Sequence, residues 1–197
     1  GMDAFTQLLE SYVSPQASPV TDALDLSGIE HIASALIPAS TDRGDDIELR
    51  SSLAYAAFLS GVTLANAGLG IIHGLAAPLG GLVNIPHGIV CATLVGEACR
   101  MNIKRIQEIR GAEDTMLIKY ARAGQALSCT PDADVPTSCD LLVQKLDEWT
   151  ERLSIPRLGR YGVSESDLDA LAVQAGQKSN PVQLGLNDIK AILRARL

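Results

Sequence analysis

The stretch SSLAYAAFLSGVTLANAGLGIIHGLAAPLGGLVNIPHGIVCATLVG, residues 51–96, contains no Asp, Glu, Lys or Arg. A run of this kind is either the buried centre of a globular fold or a segment that crosses a membrane. Its breakers decide between the two. Gly68, Gly70, Gly74, Pro78, Gly80, Gly81, Pro86 and Gly88 leave few apolar runs long enough to span a bilayer. Aromatic anchors and flanking basic clusters are also missing. The stretch therefore reads as the core of a helical domain, and no membrane association is expected.

Helical punctuation continues on both sides. Upstream, Phe5, Leu8, Leu9 and Tyr12 recur at helical spacing, and Ser14-Pro15 closes that helix. Ser18 and Pro19 supply an N-cap and a first-turn proline for a second helix, which runs to Pro38. A third carries Leu49, Leu53, Phe58 and Leu64 towards Gly68. Downstream, helices are expected over residues 87–109, 113–127, 138–153, 164–177 and 187–196. Residues 129–137 read as a loop. Ser164 with Asp167 forms a capping pattern, and Asn187 stands ahead of Asp188 as a cap. No alternating β-branched run appears, so the fold class is all-α and residues 1–197 read as one helical domain. Gly68-Leu69-Gly70 resembles the opening of a dinucleotide loop, but it follows a helix and His73 occupies the third glycine position. It reads as a helix break.

Composition agrees with a packed helical core. Hydrophobic residues make up 47%, charged residues 20% and aromatics only 4%, so Ala, Leu, Ile and Val must fill the interior. A net charge of -7 repels phosphate backbones and disfavours nucleic-acid binding. Cys91, Cys99, Cys129 and Cys139 form no C-x-x-C pair. Residues 1–10, GMDAFTQLLE, have neither a basic region nor an apolar region of signal type. A cytoplasmic protein with reduced cysteines is expected, with Cys91 and Cys99 as packed core thiols. Trp149 reads as a helix anchor.

Chemistry is confined to few residues. His73 and His87 both lie in the uncharged stretch, where each imidazole nitrogen needs a partner. They are either two separately hydrogen-bonded core histidines or two metal ligands on neighbouring helices. His31, the third histidine, reads as a surface or boundary residue. Asp3 and Gln7 stand at i and i+4 and share one helix face. An Asp in a first turn is also favoured by the helix dipole alone.

Two segments resemble the iron-containing alcohol dehydrogenases. They are MDAFTQLLESYVSPQASPVTDAL, residues 2–24, and NAGLGIIHGLAAPLGGLVNIPHGIVCATL, residues 66–94. The tail SNPVQLGLNDIKAILRARL resembles the family's last helix and the turn before it. The HGLAAPLGG and IPHG pieces, in that order, are the specific ones. The resemblance implies the C-terminal helical domain of that family, without the nucleotide-binding domain that precedes it there. It implies that Asp3, His73 and His87 bind a divalent metal, iron first and zinc as the alternative. The family's fourth ligand, a histidine, falls on Gln7, which becomes the fourth candidate. A second family histidine near the nicotinamide and substrate falls on Ala77.

The implied function is the metal- and substrate-binding half of an NAD(P)-dependent oxidoreductase that interconverts alcohols with aldehydes or ketones. NAD(P) is expected only with the nucleotide-binding half, either cut away from this chain or carried by another one. The isolated chain is expected to lack turnover. Gln7 and Ala77 keep a second reading open, a non-catalytic remnant or helical interaction module that retains the fold without metal or turnover. A face that normally meets a nucleotide domain should be exposed and partly apolar, which predicts self-association into a homo-oligomer.

Overall fold

The computed structural model describes residues 1–197 as nine α-helices and two short 3-10 turns, with no strand. The helices are α1 (Met2–Tyr12), α2 (Pro19–Ser40), α3 (Ile47–Ala67), α4 (Ile71–Leu82), α5 (His87–Arg110), α6 (Thr115–Ser128), α7 (Val135–Arg152), α8 (Leu168–Gln174) and α9 (Leu186–Arg194). The all-α expectation holds. No single helix is long and apolar enough to cross a membrane, and α3 and α4, which together have the composition, meet at 99°.

Local caps account for most helix starts. Ser18 Oγ accepts from the Thr21 N–H at 3.2 Å while Thr21 Oγ1 accepts from the Ser18 N–H at 2.8 Å, with Pro19 in the first turn. Asp46, Asp114 and Asp134 cap α3, α6 and α7 through their carboxylates. The Asp134 cap starts α7 at Val135, so the expected loop over 129–137 is shorter than the sequence suggests. Pro136 fits that first turn because its missing N–H would have had no helical partner. Pro38 does not end α2, which continues to Ser40. Asp167 accepts from the Ser164 N–H and hydroxyl as expected, but this cap opens a 3-10 turn (Glu165–Asp167) and then the short α8 rather than one continuous helix. At α9 the cap is Gly185 rather than Asn187: Asp188 accepts from the Gly185 N–H at 3.1 Å.

Helix α1 lies at the centre. It packs against α2, α3 and α5, and Phe5, Leu8, Leu9 and Tyr12 are all within 1% of complete burial. Trp149 of α7 is buried and meets Phe5 edge-on at 5.1 Å between ring centroids, which is the anchoring role expected of it. Ser14 Oγ donates to the Ala67 carbonyl at 2.6 Å and ties the end of α1 to the end of α3. The chain then turns at Gly68, whose φ of 73° with ψ of -179° lies in a region that only glycine occupies without strain. Helices α6 and α7 approach closely at Gly124, where an added Cβ would lie 2.0 Å from the Ser138 carbonyl oxygen. Gly124→Ala must force these helices apart. A loss of about 1–3 kcal/mol in chemical denaturation is expected.

One core carboxylate has no hydrogen-bond partner. Asp25 on α2 is fully buried, and neither carboxylate oxygen has a hydrogen-bond partner. Burial pushes its pKa up to about 7, against a weaker opposing pull from Thr63. The folded pKa is raised, so the contribution to stability is complete below the ordinary carboxylate pKa. It is lost as pH rises through about 7. The charged form costs on the order of 4 kcal/mol, at about 1.4 kcal/mol per pH unit. Asp25→Asn should raise the melting temperature at pH 8 more than at pH 4.5. A melting-temperature profile across that range checks the sign.

Candidate metal centre

Three of the residues singled out from the sequence converge. Asp3 Oδ1 lies 3.2 Å from His73 Nε2 and 3.5 Å from His87 Nε2. Asp3 comes from the first turn of α1, His73 from the first turn of α4 and His87 from the first residue of α5. The two imidazole rings are 5.4 Å apart between centroids. The burial of the two histidines differs. His73 has a side chain only 10% exposed, but that of His87 is 53% exposed, so the uncharged stretch does not bury both. The cluster sits at the edge of the core, closed on the His73 side and open on the His87 side.

Helix α4, which carries His73, has no cap in its own sequence. Its N-terminal N–H groups are satisfied from elsewhere in the chain. Glu10 Oε1 accepts from the Ile72 N–H at 2.7 Å, and Asn180 Oδ1 accepts from the Ile71 N–H at 3.2 Å. Gly70 leaves room for this: a Cβ there would lie 2.9 Å from Glu10 Oε1 and 2.8 Å from Asn180 Oδ1. The other Glu10 oxygen, Oε2, accepts from His73 Nδ1–H at 2.7 Å. A carboxylate on Nδ1 fixes the ring and aims Nε2 at Asp3, as is usual for a metal-bound histidine.

Electrostatics agree with the geometry. Burial alone would lower the His73 pKa, but contacts with Asp3, Cys91 and Glu10 raise it to about 11. Asp3 is held below the ordinary carboxylate range, chiefly by its contact with His73 and against the effect of burial. Without a metal, His73 thus donates one proton to each of two carboxylates. A divalent cation at Nε2 would take the place of one of them. Two imidazole nitrogens and a carboxylate oxygen on one centre suit iron or zinc.

Gln7 sits beside the cluster. Its Nε2 lies 3.5 Å from Asp3 Oδ2, and its Oε1 accepts from Ser60 Oγ–H at 2.7 Å. Ala77, exposed on α4, lines a groove with Pro78, Leu82, Asp167 and Leu171. His31 stays apart: half-buried, with Nδ1 2.8 Å from the Ser27 carbonyl oxygen and its ring against Tyr55. The largest cleft, between α2 and α6, shares no residue with the cluster.

Two participants are not evident from the sequence alone. Glu10 stands at i+7 from Asp3 and i+3 from Gln7, on the same face of α1, a spacing that could have drawn attention to it. Cys91 is a buried thiol as expected, but it is not surrounded by core alone. Its Sγ lies 3.7 Å from His73 Nε2 and 3.6 Å from His87 Nε2. Burial raises the pKa of this thiol, and His73 opposes the rise.

The whole chain, residues 1–197, matches the Fe-containing alcohol dehydrogenase family, C-terminal. The chain belongs to that family. Alcohol dehydrogenase 4 of Schizosaccharomyces pombe is 32% identical over 201 residues, a match that spans 100% of this chain and 44% of the relative. The 1,3-propanediol dehydrogenase of Klebsiella pneumoniae is 34% identical over 206 residues, spanning 98% and 49%. A crystal structure of 1,3-propanediol oxidoreductase superimposes with a TM-score of 0.88 at 30% identity, over 100% of this chain and 50% of that one. The chain therefore spans about half the length of these relatives.

Glu10→Gln keeps the length of the side chain but removes the charge that orients His73. Zinc affinity, measured by competition with a chromophoric chelator, is expected to fall about 10–100-fold. Helix content at neutral pH should change little.

Proposed function

We propose that this chain is the metal- and substrate-binding half of an NAD(P)-dependent alcohol dehydrogenase acting on small alcohols and the corresponding aldehydes or ketones. The observation that carries the reading is the meeting of Asp3, His73 and His87 from three separate helices at one point. With Gln7 beside them, these residues would hold a divalent metal. Such an ion supplies Lewis acidity, which lowers the pKa of an alcohol oxygen. The nicotinamide cofactor carries the hydride chemistry and would be bound by a nucleotide-binding half.

The residues of the chain divide the remaining work. Glu10 holds the His73 ring and keeps its Nε2 directed at the centre. Gln7 and Ser60 steady the second oxygen of Asp3. The open side, at His87, admits substrate. The exposed surfaces of α3 from Ser51 onward, of the end of α4 and of the start of α5 lack charge, with Tyr55, Phe58 and Leu82 exposed. A surface of that kind suits a covering domain that excludes water from the reaction, and without one it favours self-association.

Ala77 favours a second reading. An alanine one helical turn after His73 on α4 offers no proton-transfer group, as a non-catalytic module would have it. One experiment separates the two. The chain is loaded with iron or zinc, combined with the nucleotide-binding half of a relative, and assayed with NAD(P) and a panel of small alcohols and aldehydes. The dehydrogenase reading expects turnover that His73→Ala abolishes together with stoichiometric metal. Absence of both bound metal and turnover on any substrate supports the module instead.

A further inference from the structure

Cys91 stands one helical turn after His87 on α5, so both side chains project from one face of that helix. Its residue is completely buried, yet its sulfur is turned towards the two imidazole Nε2 atoms. One donor atom from each of Asp3, His73, His87 and Cys91 can be chosen so that all four lie within 4.8 Å of one another. Bond lengths of about 2.0–2.3 Å in a tetrahedral zinc site require donor-to-donor edges of about 3.3–3.6 Å. Four of the edges here are 3.2, 3.5, 3.6 and 3.7 Å. These four of the six donor separations are almost those of a first coordination sphere. Gln7 does not make a comparable fourth donor. Its carbonyl oxygen is engaged by Ser60, and it turns its amide nitrogen, which carries no free electron pair, towards Asp3.

We propose that Cys91 is a ligand of the metal centre, taking the fourth position in place of residue 7, and that the centre consequently prefers zinc to iron. The inference rests on the reading of the cluster as a divalent metal site. On binding, the sulfur–metal bond forms, the S–H bond breaks, and the proton leaves to solvent. No oxidation state changes. A thiolate together with the Asp3 carboxylate neutralises a divalent charge, where Asp3 alone would leave one positive charge on the centre. A softer donor set also moves selectivity from iron towards zinc. Gln7 becomes a positioning residue for Asp3.

Cobalt(II) reports the bond directly. The metal-free full chain is titrated with cobalt(II), and zinc affinity is measured by chelator competition. Wild type, Cys91→Ser, Cys91→Ala and Gln7→Ala are compared, with circular dichroism as the check on folding. The wild type should develop an intense near-ultraviolet thiolate-to-cobalt band that saturates at one equivalent. Both Cys91 variants should lose the band, and zinc affinity should drop at least about 100-fold. Gln7→Ala should retain the band. Cobalt bound by the wild type with visible d–d absorption but no charge-transfer band overturns the proposal and leaves the metal site standing. So does zinc affinity unchanged in folded Cys91→Ala. A wild-type chain that binds neither cobalt nor zinc overturns the metal reading itself, and this inference with it.

Discussion

The buried carboxylate of Glu10 joins the fold to the site. One of its oxygens accepts from the α4 backbone at Ile72, and the other accepts from the ring of His73 one residue further on. The start of a helix leaves N–H groups without partners, and at a buried start such as this one they must be satisfied by other parts of the protein. A negative charge at that end is also favoured by the helix dipole. The same carboxylate therefore decides where α4 begins and which way His73 points. Asn180, held by Asn102 and the Val182 carbonyl, completes the arrangement from the far end of the chain.

The surroundings of the site depend on this arrangement. Helix α1 is buried on nearly every side because it carries the core residues Phe5, Leu8, Leu9 and Tyr12 on one part of its surface. The rest of its surface presents Asp3, Gln7 and Glu10 to α3 and α4. Polar groups placed there have to be paired, and they are: with His73, with Ser60 and with backbone N–H groups. His87 and Cys91 approach from α5 and close the cluster from a second direction. Only the His87 side remains open.

Much of this architecture is legible in the sequence. The helical class, the end of α3 at Gly68 and the capped start of α2 arise from local chemistry, since Ser18 accepts from an N–H three residues away and Pro19 has no N–H that would need a partner. The resemblance carried by residues 2–24 and 66–94 singled out Asp3, His73 and His87, which do meet. Other features could not be read in the same way. Helix α4 has glycines and a proline in its sequence and no cap of its own, because Glu10 and Asn180 cap it from 62 and 109 residues away. His87 looked buried by composition, but the uncharged stretch has an outer face as well as an inner one.

The amino-acid sequence by itself determined the helical periods, the turns and the types of donor available. These depend on neighbours within one or two helical turns, and such short-range terms can be read along a chain. Tertiary structure alone decided which donors share a point in space and how far apart they stand. It also decided that a thiol expected to be mere packing faces two imidazoles. Hydrogen bonds and coordination bonds act over a few ångströms regardless of separation in sequence, so their partners emerge only once the helices have packed.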